Sequence, residues 1–319
     1  MMTSTNPQIQ ISIDLDTFLS GVPLPALPTS AIRLLELSRN LENGPSEYAK
    51  PIEADESLTS QVLRFVNSSY FGFAQKISNV KQAITLVGTA TIKNFVLWTA
   101  IFSATPDPKC GPFDLRSLQH DSLRRGLFAR VLAKWISASN PEEAFTVGLL
   151  QDMAIPLIAK ELPVEYAQFL EQREGGSVRL SNLERQAFGW THADAASRLF
   201  QIWNLPEHFA DLVQCHIGVK QTSDILDLDQ GQQAVAMSSL LPASCDRIWY
   251  QYDLFEQCYE SLGLEQEPEL LLAKIDREYG NMAAVLGMRS NGTSLANLYQ
   301  QARDQRALIE SVPTEIGTT

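Results

Sequence analysis

The run from Ala144 to Ala159 is apolar on nearly every face, and Gln151 and Asp152 interrupt it side by side. Read as one helix opened by Pro141, with Glu142 and Glu143 in its first turn, it must be packed on all sides. A carboxylate in such a place costs several kcal/mol unless it is ion-paired or holds a metal. Asp152 is therefore where chemistry is to be sought, either as a metal ligand or as half of a buried pair. The pairing alternative is the commoner one, and the cations to consider are Arg124, Arg125 or a protonated His192 or His216. His192 falls in the first turn after Thr191. His216 falls near a helix C-terminus, where positive charge is favoured whatever the function. His120 and His208 show no partner in the sequence and read as surface residues.

Other chemistries find no support. Gly175-Gly176 lies between helical segments and not after a strand, so it is a break and not a phosphate cradle. No nucleophile-elbow pattern is present. The 319 residues carry a net charge of −12, a field that repels nucleic-acid phosphates and anionic lipid headgroups. Cys110, Cys215, Cys245 and Cys258 are scattered without a C-x-x-C pair, which fits reduced thiols. The first residues lack the basic and apolar regions of a secretory signal, and no run is long enough for a membrane helix. The expectation is a soluble, cytoplasmic protein.

The elements that must position these residues are helices, because apolar residues recur at helical spacing between capping residues and no convincing strand pattern is present. Residues 1–20, with the alternating piece Ile9 to Ile13, are expected to form a poorly ordered arm. Helices are expected over Ala31–Ser38, from Ser46 with a bend at Pro51, after the cap Asp55, over Val80–Val87 after Ser78, and from Thr89 through Phe102. The last is apolar all round. Thr105 to Pro112, with three prolines and a glycine, marks a boundary between two lobes. Beyond it come Leu115–Ile136, the run around Asp152, Leu162–Gln172, Leu180–Phe188, a helix opened by the Thr191–Asp194 capping box, and one opened by Pro206. Four amphipathic segments follow: Gln230–Leu241, Tyr252–Leu262, Pro268–Leu286 and Ser294–Val312. The cluster Tyr70-Phe71-Gly72-Phe73 reads as core filling under a loop, with a docking patch as the alternative.

Taken in order, several pieces resemble one family. They are Leu24-Pro25-Ala26-Leu27-Pro28, then Leu58 to Ser68 followed by Phe71-Gly72, then Ile77-Ser78 with Ala83 to Gly88. Glu142 to Leu150 and Trp203-Asn204-Leu205-Pro206 complete the set. Residues about 20 to 218 thus resemble the HDOD domain, an all-helical relative of the HD-type metal phosphohydrolases. The resemblance implies an all-α, two-lobed HD-like fold with additional C-terminal helices. The HDOD domain would span 21–218, with lobes 21–105 and 113–218. Helices within 219–312 would pack on the second lobe, and 313–319 would be a loose tail. The family is mostly bacterial and associated with signal transduction and regulation.

An HD enzyme carries a His-Asp pair with further His and Asp ligands around one or two divalent metals. The resemblance puts Gln151-Asp152 at that pair, Asp121 at the earlier His and Ser238 at the later Asp, with His192 and His216 as surviving accessory positions. His120, one residue from Asp121, would be rotated about 100° away. An amide oxygen is a far poorer transition-metal ligand than imidazole, so the site reads as dismantled: no catalytic residue, no metal and no cofactor. The implied function is a non-catalytic signal-transduction or regulatory module that acts through a signalling protein or small ligand supplied in trans, with no nucleic acid and no membrane. The alternatives are a metal-dependent phosphohydrolase or phosphodiesterase built on Asp152, His192 and His216, and a nucleotide-sensing domain that binds without hydrolysing.

Overall fold

The computed structural model describes residues 13–311 apart from 39, 41, 69, 70, 174, 287 and 289–292. Among the described residues there are helices and no strand. Of the alternating piece expected over Ile9 to Ile13, residues 9–12 lie outside the described residues, as does the tail 313–319, and Ile13 is in no strand. Residues 15–20, expected with the N-terminal arm, instead form most of α1 (Leu15–Gly21). Asp14 caps this helix by accepting from the Thr17 amide, and Phe18 and Leu19 are buried.

The first lobe holds α2 (Thr29–Ser38), α3 (Pro45–Glu53), α4 (Glu56–Val66), α5 (Val80–Val87) and α6 (Thr89–Ala104). Pro51 lies inside α3 without ending it, and Asn79, not Ser78, caps α5. Asn67 stitches the turn after α4: its side chain donates to the carbonyls of Leu63 and Ile77 and accepts from the Ile77 amide, each at 2.7 Å. Of the aromatic cluster, Phe71 is half-buried and meets Phe65 edge-on at 5.0 Å, as core filling under a loop requires, whereas Phe73 stacks on Phe71 and is exposed; Tyr70 lies outside the described residues. Gly88 turns the chain sharply between α5 and α6 at φ +95°, a backbone state that costs glycine nothing.

The apolar α6 touches α2, α4 and α5 on its own side and α8 (Pro141–Leu150) on the other. Asn94 of α6 pins that junction, donating to the Glu142 carbonyl at 3.3 Å and accepting from the Thr146 hydroxyl at 2.6 Å. The joining segment is itself tied down, since the buried Cys110 thiol donates to the Pro163 carbonyl.

The second lobe is built on α7 (Leu115–Trp135), which packs along α8. Their backbones meet at two glycines. A Cβ on Gly126 would lie 3.0 Å from the Phe145 carbonyl, and one on Gly148 3.1 Å from the Arg125 carbonyl. The run around Asp152 is not one helix. α8 ends at Leu150, a tight turn carries Gln151 to Ala154, and α9 (Ile155–Glu161) begins afresh. The cause is Pro156, which has no amide to give the Asp152 carbonyl and whose ring would clash with it in a continuous helix.

Around this pair stand α10 (Pro163–Gln172), α11 (Leu180–Phe188), α12 (His192–Ile202) and α13 (Glu207–Cys215). The Thr191–Asp194 capping box opens α12 as expected. A short α14 (Thr222–Leu226), not anticipated, precedes α15 (Gln230–Ser238) and α16 (Tyr252–Ser261). α17 (Pro268–Val285) lies on α7, and α18 (Leu295–Ser311) lies on α17. α15 packs on α7, α8 and α13, so it belongs to the second lobe's core. Buried apolar residues from Phe18 to Ala302 form one cluster through both lobes.

Two outcomes follow. A Gly148→Val chain must separate α7 from α8 and should lose about 1–3 kcal/mol in urea unfolding; unchanged stability would show that the glycine contact is not required. Residues 1–105 expressed alone leave α6 bare toward α8 and should aggregate, whereas a soluble fragment with a cooperative melt would refute the dependence of the first lobe on the second.

Candidate functional site

One cleft in the second lobe, with a cavity of about 170 Å³, gathers five of the six residues singled out in the sequence: Asp121, Gln151, Asp152, His192 and His216. The sixth, Ser238 of α15, stands behind the cleft and donates to Gln151 Oε1 at 3.1 Å. They come from separate places in the fold, with Gln151 and Asp152 sharing one. α7 brings Asp121, the α8–α9 turn brings Gln151 and Asp152, and α12 begins with His192. His216 follows directly on α13.

Asp152 has found its cation in Arg125, whose Nη1 donates to Oδ2. Arg124, one residue earlier, points elsewhere: its guanidinium lies 4.5 Å from the Tyr279 ring centroid and donates to the Thr293 carbonyl. The other carboxylate oxygen, Oδ1, faces His192 Nε2 at 3.5 Å and His216 Nε2 at 3.8 Å, and the two Nε2 atoms are 3.0 Å apart. Burial alone would raise the Asp152 carboxyl, but Arg125 foremost, with His192, holds it well below the usual carboxylate range.

The hydrogen-bond partners assign the protons. Glu184 of α11, buried, accepts from the His192 amide at 2.9 Å and from His192 Nδ1 at 2.6 Å, while its other oxygen accepts from the Tyr166 hydroxyl. His216 Nδ1 donates to the Val213 carbonyl, so the neutral ring keeps its Nε2 lone pair for a proton from His192 Nε2. His192 is thus an imidazolium: burial opposes the charge, but Glu184 and Asp152 push its pKa up to about 10. His216 is neutral, pushed down to about 3 by burial and by His192. Charges in this network balance, with Arg125 and His192 against Asp152 and Glu184.

Asp121 stands apart from these residues in its bonding. Its carboxylate accepts from the Ser244 amide at 2.9 Å and from the Ser244 hydroxyl, and burial raises its pKa against the pull of Arg125. The neighbouring His120 is not a surface residue. It is buried, because α17 covers that face of α7 and Tyr279 meets His120 Nδ1 through its hydroxyl. His208 is exposed, 3.0 Å from Glu143. Glu184, Tyr166 and Ser244 carried no sequence signal. Glu184 sits in an ordinary polar stretch, and only the fold reveals its burial.

Asp152, His192 and His216 are also the one group among the described residues whose donor atoms converge as a metal site would require. Separations of 3.0, 3.5 and 3.8 Å define a circle of about 2.0 Å radius, the length of a zinc–nitrogen bond. Glu184 and the Val213 carbonyl hold the far ring nitrogens as supporting partners of metal ligands do. The residues fit one divalent ion, provided His192 gives up its Nε2 proton. They do not fit two, since the guanidinium of Arg125 already occupies one Asp152 oxygen and Gln151 offers an amide, its N–H group unpartnered, in place of a nitrogen ligand. An ion held there would supply acidification of a bound water.

The HDOD domain profile matches residues 24–219, and the chain belongs to the HDOD family. Among curated relatives, the uncharacterized protein YuxH of Bacillus subtilis (strain 168) is 33% identical over 140 residues, which cover 41% of this chain and 33% of YuxH. The chain spans about a third of the length of the curated relatives it matches. Among solved structures, a protein of Shewanella amazonensis SB2B bearing a phosphohydrolase name aligns with TM-score 0.67 at 22% identity, covering 85% of this chain and 97% of that one. A protein of Marinobacter aquaeolei VT8 bearing a signal-transduction name aligns at 0.64 and 19%, covering 92% and 63%. These likenesses establish the all-α HD-like fold.

The proton assignment predicts a pH profile. Below its unfolded pKa of 6.5, the stability that His192 contributes is fully present; it is lost as pH rises through about 10. His216 acts in the other direction, because the unfolded chain takes up a proton below 6.5 that the folded chain refuses until about 3. Stability should therefore peak near neutrality, and His192→Gln should flatten the alkaline arm. Urea midpoints of both chains from pH 6 to 10 test this; parallel slopes would rule out an imidazolium at His192.

Proposed function

We propose that this chain is a non-catalytic signal-transduction or regulatory module in which the metal site of the HD enzymes has become a self-neutralised ion-pair network. The observation that carries the reading is the Arg125–Asp152 pair. The carboxylate that would organise a metal pair is neutralised by the protein's own guanidinium, and Gln151 offers an amide where the strongest nitrogen ligand is required. Without a metal pair, no remaining residues are placed to bring a water near neutral pKa and protonate a leaving group together. The family resemblance to regulatory proteins and the signal-transduction name of the Marinobacter structure support the same reading.

Partners would be a signalling protein or a small ligand. The −12 charge weighs against nucleic acid and anionic membranes, and among the described residues no single helix is long and apolar enough to cross a membrane. We place the module in the cytoplasm. The second reading, a phosphohydrolase with a single ion, rests on the convergence of Asp152, His192 and His216 and on the phosphohydrolase name of the Shewanella structure.

Elemental analysis of protein purified without chelator separates the two, together with phosphodiesterase and nucleotidase assays supplemented with manganese, magnesium, iron or zinc. The expected result is substoichiometric metal and no turnover. Asp152→Asn leaves Arg125 buried and unpaired and should cost about 3 kcal/mol of stability. Stoichiometric metal with turnover abolished by Asp152→Asn would replace this reading with the enzyme.

A further inference from the structure

The charged groups of the cleft do not all find partners within it. Every carboxylate is already held: Asp152 by Arg125, Asp246 by Arg173 and the Ala243 amide, Asp121 by Ser244, and Asp114 by the first-turn amides of α7. Arg125 and Arg173 are consumed in those pairs. Arg179 is not. Its guanidinium lines the cleft and donates only to two neutral oxygens, the Val219 carbonyl at 3.0 Å and the Ser239 hydroxyl at 3.3 Å. Three of its five N–H donors are left over, and no carboxylate among the described residues pairs with it. Burial, reinforced by Arg125, pushes its pKa down to about 10, so it keeps its charge at neutral pH without a counter-ion.

Two further donors open on the same space. The Gln151 amide nitrogen is fully buried and has no partner, its oxygen being taken by Ser238. α11 begins without a side-chain cap, and its first residues, Leu180 and Ser181, line the cleft, so their amides and the positive end of the helix are free for an acceptor. The consecutive Ser238 and Ser239 hold Gln151 and Arg179 respectively, which places these donors on neighbouring parts of one wall. Opposite chemistry comes from Phe113, Leu118, Ile155, Leu170 and Leu241, which also line the cavity.

We propose that the cleft binds a small organic oxyanion, a phosphate monoester or a carboxylate on an apolar body, with its head held by Arg179, Gln151 and the start of α11. The inference rests on the regulatory reading and supplies its ligand class: binding without hydrolysis. A guanidinium fork and helix amides together suit an oxyanion with several acceptor oxygens. Such a ligand gives Arg179 its missing counter-charge and fits the modest cavity.

Isothermal titration of the whole chain at pH 7, in low-salt buffer free of phosphate and sulfate, tests this with three probes: phenyl phosphate, benzoate and uncharged benzyl alcohol. Phenyl phosphate or benzoate should bind, benzyl alcohol should not, and the tighter of the two anions identifies the head group. Arg179→Gln should weaken that binding at least tenfold. Gln151→Leu should weaken it severalfold, and it decides the matter if Arg179→Gln does not fold. No heat from either anion at millimolar concentration, or equal affinity in the folded variants, overturns the proposal. Release of phosphate from phenyl phosphate in the presence of manganese would instead overturn the regulatory reading while leaving the anion site in place.

Discussion

The ion pair between Arg125 and Asp152 is the constraint to which the second lobe is fitted. Two charges out of water are tolerable when they stay in contact, and loss of either partner strands the other. The surrounding residues read as the terms of that condition. His192 brings its positive charge to 3.5 Å from the second carboxylate oxygen, Glu184 balances the proton on His192, and Tyr166 secures Glu184. Exchanging Arg125, Asp152, His192 or Glu184 alone leaves a buried charge unmatched.

Backbone devices hold the pair in place. The glycine contact lets α7 and α8 approach until Arg125, beside Gly126, comes level with the turn just beyond Gly148. Pro156 ends α8 early, so Asp152 sits in a turn between two short helices. The same turn orients Gln151 toward Ser238 of α15, which extends the cleft wall to a helix beyond the residues matched by the HDOD profile.

Much of this was legible in the sequence, and the reasons for the rest are physical. Helical periodicity, capping boxes and the order of short motifs identified an all-α fold, and a lone carboxylate in an apolar run pointed to the cleft. The break after Leu150 was within reach, since Pro156 was visible, but the apolar pattern continued through it and concealed the end of the helix. The choice between Arg124 and Arg125 turns on about 100° of helix rotation, which depends on where α17 and α8 lie. His120 looked exposed because Tyr279, which buries it, is 159 residues away in the chain. Glu184 and Arg179 look like any surface charges until α11 is docked. Separation in sequence, more than residue type, concealed these roles.

The helix α12 carries a second load at its N-terminal end. Trp190, two residues before His192, lies tilted against Phe18 of α1 at 5.3 Å, and its indole donates to the Ile13 carbonyl at 2.8 Å. Arg198 on the same helix holds Asp16. Three consecutive residues thus serve three duties: Trp190 seats the N-terminal helix, Thr191 caps α12, and His192 carries the proton that neutralises the cleft. Lifting α1 would wet an indole and a phenyl ring beside the helix start that feeds an amide and an imidazolium into Glu184. The mechanical anchor of the N-terminal segment and the charge state of the cleft therefore share one short piece of backbone, and Trp190 is a native fluorophore placed to report on it.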